Sequence, residues 1–167
     1  MRFSPHLSPR EMLLKGVFGG NYFAETTLSN EVLSRWFGDL EVSLYRSSTY
    51  NTEINYFKIR SGQSLREWND NGWIHPDDPN GWFEWYCKYH AGRRHEDDSR
   101  QIKRWNAFCG PSGRWKNIIY GKIHSAGEPF ASSRAVSPRI QQSLLHWSYL
   151  VNEKDYLTWC ESRATGS

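Results

Sequence analysis

The sequence predicts a mostly α protein: a single compact domain of short helices around a central helix rich in tryptophan and tyrosine. Three observations support this fold class. A length of 167 residues fits one domain. Apolar residues recur at helical spacing in most segments, which indicates helices with one buried face. Tryptophan, tyrosine and phenylalanine make up 16% of the chain, and their rings can form a core where aliphatic residues are few.

The first helices begin at serine residues that fit N-terminal caps. Ser8 and Glu11 have the spacing of a capping box, and this helix is expected to end near Gly16. Ser29 or Asn30 caps a second helix, whose apolar residues keep helical spacing as far as residue 37.

Residues 42–60 are the only region in which the sequence allows β structure. Aromatic and aliphatic residues occur there at irregular intervals among Ser, Thr and Asn. The pattern fits either one small irregular β segment or an irregular loop. After this region, Ser64 caps a short helix that ends at Asn71 and Gly72.

The segment from Trp82 to His90 is predicted to be the central helix. The string Asp77–Gly81 before it supplies the proline and glycine of a helix start. The segment itself carries aromatic or other apolar residues on nearly every face of the predicted helix, and a helix of that kind is normally buried.

Four further helices are predicted in the C-terminal half, where Asp97, Asp98 or Ser99 caps the first of them. Their ranges are 99–108, 114–124, 137–151 and 156–159. No linker long enough to divide the chain is present. Residues 1–163 are therefore expected to form one helical domain, and residues 164–167 a flexible tail or a cloning remnant.

The chain is predicted to be intracellular, in the cytoplasm or the nucleus. No apolar run approaches the roughly 20 residues that span a bilayer, so no membrane partner is expected. The first residues lack the apolar stretch of a signal peptide. Cys87, Cys109 and Cys160 are too few and too scattered for a disulfide framework, and they are expected to be free thiols.

Several tryptophan-rich strings resemble a family of small hypothetical proteins with no assigned activity. The main strings are Asp78–Cys87, Gly92–Arg94, Asp97–Asp98, Arg100–Ile102 and Arg104–Trp105. Further strings lie at 16–20, 72–74, 113–117 and 142–147. The resemblance covers most of the chain and implies a single domain whose identifying part is residues 81–117. It implies no known chemistry.

Basic residues are concentrated between Arg93 and Lys122. This stretch holds eight basic and three acidic residues, whereas the whole chain carries a net charge of only +3. Such an excess predicts an anionic partner, and nucleic acid is the favoured one. Trp105 and Trp115 would stack on bases if they lie outside the core. The expected phosphate contacts are Arg93, Arg94, Arg100, Lys103, Arg104, Arg114 and Lys116.

Two alternatives stay open for this stretch. The basic residues could instead pair with Glu84, Asp97 and Asp98. The chain could also be an enzyme that acts on a small anionic or aromatic substrate in a tryptophan-lined pocket. His90, Arg94 and Asp97 would then lie at the rim, where arginine binds the anion and histidine with aspartate moves a proton. No known catalytic motif supports that hypothesis.

No metal site is predicted. Cys87, His90, His95 and Cys109 are ligand types that zinc accepts, but the usual pair of cysteines two residues apart is missing. Cys87 lies within the aromatic helix and fits a small buried core residue better. The sequence identifies no cofactor and gives no oligomeric state.

Overall fold

The computed structural model describes residues 2–165, and over this range the chain is helical and contains no β-strand. Eight α-helices are numbered here in chain order: α1 Pro9–Leu14, α2 Asn30–Phe37, α3 Leu65–Asp70, α4 Trp82–His90, α5 Asp98–Cys109, α6 Arg114–Ala126, α7 Pro138–His146 and α8 Glu153–Ala164. Short 3-10 helices lie at Val42–Leu44, Thr52–Ile54 and Phe130–Ala135. The predicted mostly α fold is confirmed. No helix in this range has the length and apolar character needed to span a membrane.

The early helices begin at the predicted serine caps. In α1 the Ser8 hydroxyl accepts the Glu11 main-chain N–H at 3.2 Å, and the Glu11 carboxylate accepts the Ser8 N–H at 2.7 Å. Ser64 and Glu67 form the same capping box before α3. Ser29 caps α2. Each cap satisfies main-chain donors that the helix itself leaves open and contributes about 1 kcal/mol.

Residues 42–60 form a loop with two 3-10 turns, so the β alternative for this region is wrong. Asn55 is only 2% exposed. Its amide nitrogen donates to the Tyr50 hydroxyl at 2.7 Å and to the Ile59 carbonyl at 2.8 Å, and its oxygen accepts the Phe57 N–H. The Asn55 side chain thus provides hydrogen-bond partners for the main-chain groups of Phe57 and Ile59, which in a sheet would be paired by a neighbouring strand.

Helix α4 lies in the core, as predicted. Its residues from Trp82 to Cys87 are all buried. The Phe3 ring, from the N-terminal segment, lies with its centroid within 6.3 Å of rings on both α4 and α5. Helix α1 packs against α4, α5 against α6, and α6 against α7 and α8. Aromatic burial therefore holds the two ends of the chain to one centre.

The predicted long helix from 137 to 151 is wrong beyond His146. Ser148 has a positive φ of 58°, which breaks the helix. Its hydroxyl donates to the Leu7 carbonyl at 2.6 Å and accepts the Leu7 N–H at 2.9 Å. A tertiary contact with the N-terminal segment therefore ends α7.

The last helix is longer than the predicted 156–159. It begins at Glu153 because the Asn152 side chain accepts the Asp155 N–H at 2.9 Å, which caps the helix start. Helix α8 continues to Ala164. The predicted tail reaches Gly166 and Ser167, and these two residues lie outside the described range.

Candidate functional site

Two turns with the same pattern, His-x-Asp-Asp, precede α4 and α5. They are His75–Asp78 and His95–Asp98. In the first, His75 Nδ1 accepts the Asp77 N–H at 3.1 Å, and the His75 carbonyl accepts the Asp78 N–H at 2.9 Å. The second turn repeats both hydrogen bonds at 3.2 and 3.1 Å. The sequence analysis missed this short repeat, although the four-residue pattern is visible in the sequence.

The two turns face each other. The His75 and His95 rings meet edge to face with centroids 5.0 Å apart. His95 Nε2 lies 2.9 Å from an Asp77 carboxylate oxygen. With Glu96, the two histidines offer three possible metal-ligating atoms within 4.8 Å of one another. The Nδ1 lone pair of each histidine already accepts a hydrogen bond from a main-chain N–H. We therefore infer that both histidines fix the shape of the turns and do not bind a metal.

The zinc ligands considered from the sequence do not come together. No group of three ligating side chains that includes Cys87, His90 or Cys109 is present among residues 2–165. Cys87 and Cys109 are buried, and burial raises the pKa of both thiols. The Cys109 thiol donates to the Trp105 carbonyl at 3.4 Å. Both thiols are therefore core groups.

Arg93 is not part of an outward basic face, contrary to the sequence prediction. Asp78 is 0% exposed, and Arg93 binds it with two hydrogen bonds of 2.9 and 2.7 Å. Lys88 lies 3.0 Å from the same carboxylate and 2.7 Å from Glu84. The guanidinium neutralises a buried acid and joins the turn before α4 to the turn before α5.

Arg100 and Lys116 also have internal carboxylate partners. Asp97 is 6% exposed and accepts hydrogen bonds of 2.8 Å from both Arg100 and Gln101. Burial alone would raise the pKa of Asp97, but the Arg100 guanidinium and the Gln101 amide hold it below its usual value. Lys116 Nζ lies 3.8 Å from a carboxylate oxygen of Asp155. The Arg100–Asp97 pair belongs to the alternative left open for the basic stretch, whereas Asp155 was not expected as a partner of Lys116.

The proposed enzymatic residues are not assembled into one site. Arg94 donates to the Tyr89 and Arg93 carbonyls at the end of α4, and its guanidinium lies 4.1 Å from the Tyr89 ring centroid. His90 is exposed at the same helix end. Within the described residues, no hydrogen bond or ion pair joins His90, Arg94 and Asp97 to one another.

Two surface depressions lie away from those three residues. One of about 660 Å³ lies between α6 and the start of α7 and is lined by Asn117, Lys122 and Val136, among others. Another, of about 550 Å³, is lined in part by Phe57, Ser132 and Arg134. Neither is walled by tryptophan.

Lys103 and Arg104, from the predicted basic set, do reach the surface. Together with two nearby tryptophans they form what we call the Arg104 surface, which consists of Trp68, Trp73, Lys103 and Arg104. The Arg104 guanidinium lies 4.9 Å from the Trp68 ring centroid and 5.4 Å from that of Trp147. Its Nη1 donates to the Trp73 carbonyl and to the Gln101 side-chain oxygen, both at 3.1 Å.

Arg104 is a half-buried cation without an ion pair. Burial, and to a smaller extent the nearby charge of Arg100, lowers the pKa of Arg104 to about 10, while Asp97 acts in the opposite direction. No carboxylate lies within 4.0 Å of Arg104 or Lys103 among residues 2–165. Nε and Nη2 of Arg104 have no acceptor in the same range.

An aromatic side chain is exposed beside Arg104. Trp73 is 37% exposed and meets Trp68 edge to face at 5.7 Å. The sequence analysis instead named Trp105 and Trp115 for base stacking. Trp105 is buried and donates its indole N–H to the Trp147 carbonyl, so it is a core residue.

Comparisons with protein-family models, curated proteins and solved structures found no match to this chain. The family resemblance inferred from the tryptophan-rich strings therefore stays a prediction. The chemistry of the exposed groups remains the guide to function.

Proposed function

We propose that the protein binds single-stranded nucleic acid through the Arg104 surface. The observation that carries the proposal is the free edge of Arg104. Its Nε and Nη2 face no described acceptor, while Nη1 is fixed by Trp73 and Gln101. Nε and Nη2 form the planar fork with which arginine binds two oxygens of one phosphate.

Trp68 and Trp147, the two tryptophans whose rings lie near the Arg104 guanidinium, hold this arginine in place. The Arg104 guanidinium lies against the Trp68 ring, which restricts its rotation and lowers the entropy lost when it binds an anion. Lys103 precedes it on α5 and is exposed. Successive residues of a helix point roughly 100° apart, so Lys103 would contact a neighbouring phosphate of the strand and not the one at Arg104.

Trp73 supplies the aromatic contact that favours single strands over duplexes. An exposed indole can stack on an unpaired base, and such stacking contributes roughly 1–3 kcal/mol per base. In a duplex the bases are already stacked on one another. The combination of a free guanidinium fork with an exposed indole therefore fits a strand whose bases are open.

Fluorescence anisotropy with a labelled oligo(dT) strand tests this proposal. Trp73→Ala should weaken binding about tenfold, because base stacking is lost. Lys103→Glu should weaken binding and reduce the slope of log K against log salt by about 0.7, the value for one phosphate contact on a single strand. Arg104→Lys keeps the charge but removes the fork, and it should weaken binding several-fold.

Lys154→Glu is the matched control, because it makes the same charge change at an exposed position on α8. It should leave the affinity within about twofold of the wild type, since it removes no phosphate contact. The proposal fails if the strand does not bind, or if Lys103→Glu and Lys154→Glu weaken binding equally. Tighter binding to duplex, unaffected by Trp73→Ala, would contradict the single-strand assignment.

A further inference from the structure

A separate group of cations surrounds Tyr56 on the loop between α2 and α3. We call it the Tyr56 surface, and it consists of Lys15, Tyr56 and Arg134; Arg60 and Arg139 lie on adjoining segments. Lys15 Nζ lies 4.9 Å from the Tyr56 ring centroid, and the Arg134 guanidinium lies 4.2 Å from the same centroid. Two positive charges from distant parts of the sequence thus contact one ring.

Arg134 is held in place but keeps donors free. Its Nη2 donates to the Tyr56 carbonyl at 2.6 Å, and its guanidinium also lies 5.1 Å from the Phe57 ring centroid. Nε and Nη1 have no acceptor among residues 2–165. These donors can bind an anion with little loss of side-chain entropy, because the guanidinium is already positioned.

Arg60 and Arg139 extend the same positive surface. Arg60 lies over the Tyr50 ring at 4.4 Å and is exposed. The following residue, Ser61, donates its hydroxyl to the Arg139 carbonyl at 2.8 Å. The loop and the first turn of α7 are therefore in contact, and that contact brings these two arginines to neighbouring positions.

Carboxylates near this surface are already engaged. None lies within 4.0 Å of Lys15, Arg60, Arg134 or Arg139 in the described range. Glu11, one turn before Lys15, is hydrogen-bonded in the capping box of α1, and Glu53 lies 3.8 Å from Lys58. Cations gathered without counter-charges create a positive potential that a bound anion would lower.

Space for a ligand adjoins these cations. The depression of about 550 Å³ described above is lined by Phe57, Ser132 and Arg134 together with Ala131, Ala135 and Pro138. It is shallow and open, and it places the Arg134 guanidinium, the Ser132 side chain and the Phe57 ring around one space that a phosphate group can enter from solvent.

We infer that the Tyr56 surface is a second anion site, which binds a phosphate group through Arg134 with support from Lys15. This inference goes beyond the proposed function, because its residues are separate from those of the Arg104 surface. The phosphate can belong to a nucleic-acid strand or to a free polyphosphate ligand.

Calorimetry with inorganic triphosphate at low salt tests the free-ligand source, and anisotropy with oligo(dT) tests the strand source. Arg134→Gln should weaken the binding of at least one probe about fivefold, the loss expected for a charge-assisted phosphate contact. Lys15→Gln should weaken the same probe, and it keeps the Arg134 hydrogen bond to the loop. Thermal unfolding of each variant checks that the fold is intact.

Two controls separate this inference from the proposed function. Lys122→Gln removes an exposed charge at the other depression and should leave triphosphate binding unchanged. Lys103→Glu should weaken oligo(dT) and leave triphosphate unchanged. If Arg134→Gln weakens the binding of triphosphate but not of oligo(dT), the ligand is a free phosphate compound. If it weakens the binding of oligo(dT) but not of triphosphate, the ligand is the strand. The inference is overturned if both Arg134→Gln and Lys15→Gln bind both probes like the wild type, or if Lys122→Gln loses as much triphosphate affinity as they do.

Discussion

Cations contact both the two turns before α4 and α5 and the Tyr56 surface, but their charges are compensated differently. At the turns, the nearby Arg93 and Arg100 bind the buried carboxylates of Asp78 and Asp97. At the Tyr56 surface, Lys15 and Arg134 lie against an aromatic ring and have no ion pair. Within the stretch of larger local charge, Arg93, Arg100 and Lys116 are therefore neutralised by carboxylates of the fold, whereas Lys103 and Arg104 have no ion pair among residues 2–165.

This difference shows why the number of positive charges in a segment does not measure its capacity to bind an anion. A guanidinium whose donors are saturated by a buried carboxylate cannot bind phosphate without leaving that acid unpaired, which costs several kcal/mol. A guanidinium stacked on an exposed ring keeps donors free.

The largest effect is expected for Arg93→Met. The substitution keeps much of the side-chain volume but leaves Asp78 buried with Lys88 as its remaining cation. We expect the free energy of unfolding to fall by about 3 kcal/mol, as when one partner of a buried ion pair is removed. Urea denaturation measures this loss. A decrease below about 1 kcal/mol would show that the pair is not needed for the fold.

An intermediate effect is expected for Asp97→Asn. The loss at neutral pH should be about 1–2 kcal/mol, because charge-assisted hydrogen bonds to Arg100 and Gln101 are weakened. The folded pKa of Asp97 is below its usual value, so its ionised form stabilises the fold above the unfolded pKa of about 4.

This stabilisation is lost as the pH falls through the folded pKa of Asp97. The stability difference between the wild type and Asp97→Asn should therefore be constant from pH 5 to 7 and shrink below about pH 4. Denaturation curves recorded across this range measure it. A difference that does not depend on pH would contradict the assignment of Asp97 as an ionised partner of Arg100.

The smallest effect on stability is expected for Arg134→Met. The cation is exposed, and its contact with the Tyr56 ring contributes only about 0.5–1 kcal/mol. Urea denaturation should therefore give a value within about 1 kcal/mol of the wild type. A loss as large as that of Arg93→Met would mean that the Tyr56 surface is as structural as the two turns.

Local signals were enough to predict the starts of several helices. Ser8, Ser29 and Ser64 cap the helices that follow them, because a cap depends on groups within three residues. The end of α7 could not be predicted in this way. It depends on Ser148, whose partner Leu7 is 141 positions away in the sequence.

The candidate site likewise contains residues that could be predicted from the local sequence and residues that could not. Lys103 and Arg104 were predicted because they stand in a basic stretch on a helix. Trp73 was not predicted to contact a base, since the sequence does not show whether an aromatic ring is exposed or buried. Trp105 was expected to stack on a base only if it lay outside the core, and it lies inside.

The sequence by itself determined a helical chain, its serine-capped helix starts, an aromatic central helix and an excess of basic residues between 93 and 122. These properties arise from neighbours within a few positions or from composition. Only the tertiary structure decided which cations are neutralised and which are free. An ion pair depends on the distance between side chains such as Asp78 and Arg93, and that distance is set when the two turns pack together.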